Sequence, residues 1–192
     1  ASAGIVGLAL SFAAKDTLSN LFSGVSIMMD APYKTGDFII LDTGERGVVT
    51  DIGLRSTRLL TRDDIEITVP NGIIGNSKII NEAGGPSESH RIRVAVGTAS
   101  GSDIDKVIET LEKVAADNVD VLDNPAPRVR FRRFGESSLD FELLGWIAMP
   151  VDRGRVTHEL HCAVYKAFLA NRIEIPFPQR DLHVRSMPET SS

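Results

Sequence analysis

His158-Glu159-Leu160-His161-Cys162 is the segment closest in type to a metal-binding sequence. A zinc-protease helix needs histidines at i and i+4, so that both imidazoles reach one ion with a glutamate between them. Here the histidines stand at i and i+3 with no third ligand apparent nearby, so the segment reads as an ordinary polar helix face and no metal is assigned. Asp63, Asp64 and Glu66 crowd carboxylates together, but a calcium loop needs more oxygen ligands at fixed spacing. A solvated hairpin turn accounts for them. Gly97-Thr98-Ala99-Ser100-Gly101-Ser102 contains glycines without the lysine of a phosphate loop, and reads as a strand-to-helix connection. With no nucleophile motif and no paired acid and base, the residues argue against an enzyme and imply no cofactor.

The strongest charge pattern is Arg128, Arg130 and Arg132, alternating along a predicted strand with Arg133 adjacent. Alternation puts the three guanidinium groups on one face. Such a face could attract anions, phosphate groups or RNA, pair with acidic residues of a neighbouring subunit, or be solvated. The 192-residue chain carries 21 Lys and Arg against 26 Asp and Glu, a net charge of −5, which argues against nucleic acid as the main partner. The single cysteine, Cys162, excludes an intrachain disulfide and fits a reducing compartment.

The element that must position everything else is the first. Ala1–Met29 carries no charge except the adjacent Lys15 and Asp16. A membrane-crossing helix needs about 20 predominantly apolar residues, and this stretch has that length. Gly4, Gly7, Ser11 and Ala14 are spaced to share one helical face where another backbone can approach closely. A signal peptide would need a basic leader and a short apolar core, which this stretch lacks. A buried helix of a soluble protein is the other alternative. Membrane helix is the favoured reading over 1–30.

Asp30-Ala31-Pro32 ends that helix. Short β-branched runs at Asp37–Leu41, Gly47–Ile52, Ser56–Arg62, Ile65–Val69 and Lys78–Asn81 then predict a small SH3-like or Sm-like β-barrel over 31–84. Gly53 is suited to a bend or bulge, and Pro70-Asn71-Gly72 to a turn. Glu82–Ser89 is the best linker. From 88 to 186 the pattern changes to strand Arg91–Gly97, a helix capped near Ser102-Asp103, strands Arg128–Phe134 and Ser138–Ala148, a helix Asp152–Asn171, and a final strand near Leu182–Arg185. That order, β-α-β-β-α-β, is the ferredoxin-like split βαβ. Residues 187–192 read as a disordered tail. The whole is an α+β chain with a membrane helix at its head.

Taken in order, Gly7-Leu8-Ala9-Leu10, Thr17-Leu18-Ser19-Asn20-Leu21, Ala31-Pro32-Tyr33-Lys34-Thr35-Gly36-Asp37, Val69-Pro70-Asn71-Gly72, Ser102-Asp103-Ile104-Asp105-Lys106-Val107 and Ile175-Pro176-Phe177-Pro178-Gln179 resemble the small-conductance mechanosensitive channel (MscS) family. The resemblance implies a homoheptamer whose pore is lined by the opening helix, with a kink at Lys15-Asp16 and a second half lying along the membrane surface. It places Leu8 and Phe12 at the two rings of apolar gate residues, where Phe12 departs from the family's usual leucine. Gly4, Gly7, Ser11 and Ala14 would pack against the neighbouring pore helix. It further implies at least two preceding membrane helices in the full-length protein, a bacterial inner membrane location and a cytoplasmic vestibule with side portals. Membrane tension would open the pore to ions and small osmolytes, and the arginines would bias the ions collecting near the portals. A soluble, oligomeric Sm-like binding module, with RNA as its candidate ligand, is the alternative from another class.

Overall fold

The computed structural model describes residues 2–84, 89–183 and 185, with side chains of the first helix described at Ile5, at Gly7 and from Ser11 onward. The chain divides into two compact units, residues 1–88 and 89–192.

The first unit opens with α1 (Ser2–Asp30), one 29-residue α-helix. It contains no proline, and it stops where Ala31 turns left-handed (φ 43°) and donates its N–H to the Ile27 carbonyl at 2.9 Å, with Pro32 next. β1 (Phe38–Ile40), β2 (Arg46–Ile52), β3 (Ser56–Thr61), β4 (Glu66–Pro70) and β5 (Ile80–Asn81) form one antiparallel sheet in the order β4-β3-β2-β1-β5. Gly53 makes the bend between β2 and β3, its N–H bonded to the Ser56 carbonyl, while the register shift lies upstream, between Val49 and Asp51. Alternation along β3 buries Thr57 and Leu59 beneath exposed Arg58 and Leu60. The core gathers Tyr33, Ile39, Leu41, Val49, Leu59, Val69 and Ile74, and it includes Ile27 of α1. The far end of the opening helix is therefore part of the β-unit's core.

One local expectation fails here. Asn71–Ile74 is a short helix, α2, rather than a turn. Its N-terminal donors are met by tertiary partners that local sequence cannot reveal, as described below.

In the second unit, β6 (His90–Thr98), β7 (Arg128–Phe134) and β8 (Leu139–Ile147) form an antiparallel sheet in the order β6-β8-β7, so β6 and β7 run parallel on either side of β8. That is a split βαβ arrangement, with α3 (Ile104–Ala116) as its crossover helix. Asp103 caps α3 by accepting from the N–H groups of Asp105 and Lys106. Val107, Leu111, Val114 and Ala115 of α3 pack against Ile92 and Val94, joined by Val156, Leu160, Val164 and Phe168 of α4 (Arg153–Asn171). A 3-10 turn, Pro150–Asp152, leads into α4. The final strand expected near Leu182–Arg185 is absent at its described positions: Leu182, His183 and Arg185 carry no strand. A strand needs a partner for its backbone groups, and the sheet's described strands are β6, β7 and β8. The predicted tail, 187–192, lies outside the described residues, as do residues 85–88 of the predicted linker.

Candidate functional site

α1 presents two different surfaces along its length. In its first half Phe12 is 74% exposed, a Cβ added at Gly7 would meet nothing within 4 Å, and the Ser11 hydroxyl bonds back to the Gly7 carbonyl at 2.8 Å. Ala14 is half-buried, while Lys15 and Asp16 are exposed. The side chains of Gly4 and Leu8 lie outside those described. Among its described residues the first half of α1 therefore exposes Ile5, Gly7, Ser11 and Phe12 within this unit. Among the described residues no helix is long and apolar enough to cross a membrane.

The second half is docked. Asn20 Oδ1 accepts from the Gly72 N–H at 2.8 Å, and Asn20 Nδ2 donates to the Asp16 carbonyl at 2.8 Å. The same asparagine thus satisfies an orphan donor at the start of α2 and ties it to the turn of α1 holding the charged pair. Beside it the backbones approach closely. A Cβ on Gly24 would lie 2.0 Å from the Leu54 carbonyl oxygen, and one on Gly75 would lie 2.9 Å from Ser23 Oγ. Glycine is needed at 24 because the obstacle is backbone, which cannot swing aside.

Under this contact runs a buried polar relay. Asn71 Nδ2 donates to the Gly53 carbonyl at 2.8 Å, the Thr57 hydroxyl donates to Asn71 Oδ1 at 2.9 Å, and the Tyr33 hydroxyl lies 3.1 Å from Thr57 Oγ1. Tyr33, Thr57 and Asn71 are all buried, so each bond offsets a desolvation cost and fixes one arrangement. Burial pushes the Tyr33 phenol above its ordinary value, opposed by the Thr57 hydrogen bond. These residues link the chain just after α1, the middle of the sheet and α2. The sequence reading missed Asn20, Gly24 and Asn71. Their signal was present: Asn20 and Gly24 stand four apart, and Gly72 and Gly75 three apart.

The arginine strand is rearranged by the fold. Register shifts between Phe131 and Arg133, so the strict alternation ends at Arg132. Arg132 forms an ion pair with Glu142, and Arg133 forms one with Asp140 at 2.8 Å. The Asp140 carboxyl is held below its ordinary value by the Ser138 hydroxyl and then by Arg133. Arg128 instead lies over the Trp146 ring, 4.9 Å from its centroid, and Arg130 Nη1 donates to the Val129 carbonyl at 3.1 Å. The register brings Arg91 and Arg93 of β6 opposite Trp146 and Leu144, on the same face as Arg128 and Arg130. The sequence triad becomes a two-strand patch, with Arg132 neutralised.

His158 Nε2 lies 3.8 Å from Cys162 Sγ, the His161 Nδ1 faces the Thr157 carbonyl at 2.7 Å, and no group of three or more potential ligands occurs among the described residues. Asp64 is left-handed (φ 57°) at a tight turn, in keeping with a hairpin.

A β-unit carrying a long, half-docked helix, followed by a split βαβ unit, is an α+β layout shared with mechanosensitive ion channels. Residues 16–84 match the family described as mechanosensitive ion channel, beta-domain, and residues 92–175 match mechanosensitive ion channel MscS, C-terminal. The chain belongs to the MscS family. It is 35% identical over 178 residues to a small-conductance mechanosensitive channel of Edwardsiella ictaluri, covering 93% of this chain and 61% of that protein. An MscS family protein of Synechocystis is 33% identical over 183 residues, covering 95% of this chain and 60% of that protein. The crystal structure of Helicobacter pylori MscS in its closed state superposes with a TM-score of 0.86 at 31% identity, covering 97% of this chain and 72% of that one. The chain spans about three-fifths of the length of these two curated relatives.

Proposed function

We propose that this chain is the pore-lining and cytoplasmic part of a mechanosensitive channel in a bacterial inner membrane. Membrane tension opens a homo-oligomeric pore, built from seven copies of α1, to ions and small osmolytes on hypo-osmotic shock. The observation that carries this is the split character of α1. Its first half exposes apolar and small residues within its own unit, which suits packing against lipid and neighbouring pore helices. Its second half is fastened to the β-unit.

In this reading Gly4–Ala14 lines the pore, with Gly4, Gly7, Ser11 and Ala14 packing against the next copy. Leu8 and Phe12 form the apolar constriction, which closes the pore by excluding water rather than by filling it. Lys15 and Asp16 mark a bend that keeps the charged pair out of the lipid, where an unpaired charge is costly. The half beyond lies at the interface. Tension favours the state with the larger in-plane area, so the pore helices tilt and rotate along their small faces as the ring widens. In the assembled channel the family's vestibule would carry Arg128, Arg130 and Arg132, which bias which ions collect near its portals.

Single-channel recording of the full-length protein under graded suction tests the proposal. Discrete openings that appear with suction and disappear on its release are expected. A full-length protein that reaches the membrane and shows none would overturn it.

A further inference from the structure

We propose that the helix-free face of the β6-β8-β7 sheet binds a free, soluble anion carrying several phosphate groups. The face is defined by Arg91 and Arg93 on β6 and Arg128 and Arg130 on β7, all exposed and alternating with buried Ile92, Val94 and Val129 that point into the helix-covered core. Between them β8 contributes Glu142, Leu144 and Trp146.

Charge accounting on this face leaves a surplus. Glu142 is already engaged by Arg132, with Arg93 Nη1 at 3.9 Å, and Asp140 is engaged by Arg133 and Ser138. Among the described residues no carboxylate pairs with Arg91, Arg128 or Arg130. This is a local reversal in a chain of net charge −5.

Geometry selects the ligand. Alternate residues on a strand lie about 6.6–6.8 Å apart, and strands flanking a common neighbour lie about 9.6 Å apart. The register sets Arg93 across β8 from Arg128, with Arg91 and Arg130 one step further along in opposite directions, so the four positions form a skewed array about 10 Å across and about 16 Å between Arg91 and Arg130, which long side chains and one extended ligand can bridge. A monovalent anion can engage one corner, whereas a chain of phosphates can engage several. Each guanidinium fork matches phosphate oxygens with paired hydrogen bonds. The arginines are also partly held in place. Leu144, outside the helix-side core, is only 5% exposed because the Arg93 and Arg128 stems flank it, and Arg128 rests on the Trp146 ring. Holding the side chains before the ligand arrives reduces the ordering cost of binding. With its arginines spread over two strands, the face recognises charge number rather than shape.

This inference rests on the basic-face reading above and is independent of the pore. Trp146 is the chain's single tryptophan, so its fluorescence reports this face directly. The purified full chain is titrated with inorganic tripolyphosphate at about 0.15 M salt, where surface charges are screened beyond about 8 Å, and heat is measured in parallel. Saturable binding is expected, with fluorescence changing as Arg128 leaves the indole. The Arg91→Ser/Arg130→Ser double variant should weaken binding by about tenfold or more, the loss of two charge-assisted contacts. Arg133→Ser, whose partner is Asp140, should stay within about twofold, since exposed pairs contribute little. Absence of saturable heat, equal affinity in the double variant, an equal response to sulfate at matched ionic strength, or tighter binding of single-stranded RNA would each overturn the proposal. Loss of tripolyphosphate binding with ion selectivity still sensitive to Arg91 and Arg130 would overturn this step alone and leave the ion-biasing reading standing.

Discussion

Asn20 and Gly72, 52 residues apart in sequence, are joined by a 2.8 Å hydrogen bond from the Gly72 N–H to Asn20 Oδ1. The other end of the same amide holds the Asp16 carbonyl. The charged pair is thus followed, one turn later, by a side chain anchored on α2 and through it on the β-unit.

Replacing Asn20 by alanine leaves the Gly72 donor without its protein partner and frees the middle of α1. The expected cost is about 1–2 kcal/mol, the range for an unsatisfied, partly buried donor. Hydrogen exchange at the Gly72 amide should accelerate, while exchange in β6 and β8 should not change. Asn20→Asp, which keeps the accepting oxygen, should preserve most of the Gly72 protection. Unaltered exchange at Gly72 in the alanine variant would show that the bond is not formed in solution.

Gly24→Ala and Gly7→Ala make a paired test of the two halves of α1. The added methyl at 24 would sit 2.0 Å from the Leu54 carbonyl oxygen, so either the helix lifts or the β2–β3 bend moves. Overpacking of this kind costs about 1–3 kcal/mol, and the thermal midpoint of the first unit should fall. At Gly7 the methyl meets nothing within 4 Å of its own unit. Its effect on the midpoint should be negligible, and an altered opening threshold would then report contact with a neighbouring pore helix. Equal midpoints for the two variants would contradict the docked geometry.

The layered parts of this fold were legible because periodicity carries them. The α3 stripe Val107, Leu111, Val114 and Ala115 and the α4 stripe Val156, Leu160, Val164 and Phe168 lie in the core at the spacing the sequence shows. What escaped was set by long-range contact. Asn71-Gly72 carries turn chemistry, yet the segment is helical because Asn20 and the buried Thr57 supply partners from elsewhere in the chain. Arg132 alternates correctly with Arg128 and Arg130, but the register shift and Glu142 decide its company, and both depend on β8. Arg91 and Arg93 were visible as charges on a strand. Their meeting with the β7 arginines required the strand order.

Tyr33 sets an alkaline limit on the first unit. Its folded-state phenol ionises above the ordinary value of 10.0, chiefly because it is buried. Below that value the phenol is neutral in both folded and unfolded chains, and its contribution is fully present. As pH rises past 10.0 the unfolded chain ionises first, so stability falls until the folded phenol itself titrates. Tyr33→Phe should remove this component of the alkaline transition. It should also cost about 1 kcal/mol at neutral pH through the lost hydroxyl contact with Thr57. Urea midpoints compared between pH 8 and pH 11 check both effects; an unchanged alkaline slope in the variant would exclude Tyr33 as its source.

Leu8→Ser tests the gate. If Leu8 forms the proposed apolar constriction, a hydroxyl there gives water a hydrogen-bond partner that leucine does not, so the wetted state is favoured. The tension needed to open should fall relative to the unmodified channel, with single-channel current little changed if the open pore is wide at that ring. Phe12→Ser should act in the same direction if the second ring also closes. A threshold for Leu8→Ser at or above that of the unmodified channel would move the gate away from Leu8.

Ion selectivity tests the basic sheet face within the assembled protein. Reversing Arg128, Arg130 and Arg132 together to glutamate changes the formal charge of each copy by six units, a field that neighbouring copies multiply. Reversal potentials in a salt gradient should shift toward cation preference, and more at low ionic strength than at high, because exposed charges are screened within about 10 Å at 0.1 M. Arg132 should contribute least, since Glu142 already pairs with it. Arg91→Glu with Arg130→Glu should therefore shift the potential more than Arg132→Glu with Arg130→Glu, although both pairs change the formal charge equally. Unchanged selectivity in the triple variant would reject a role for this face in permeation, and an equal shift from the two pairs would show that position on the face is immaterial.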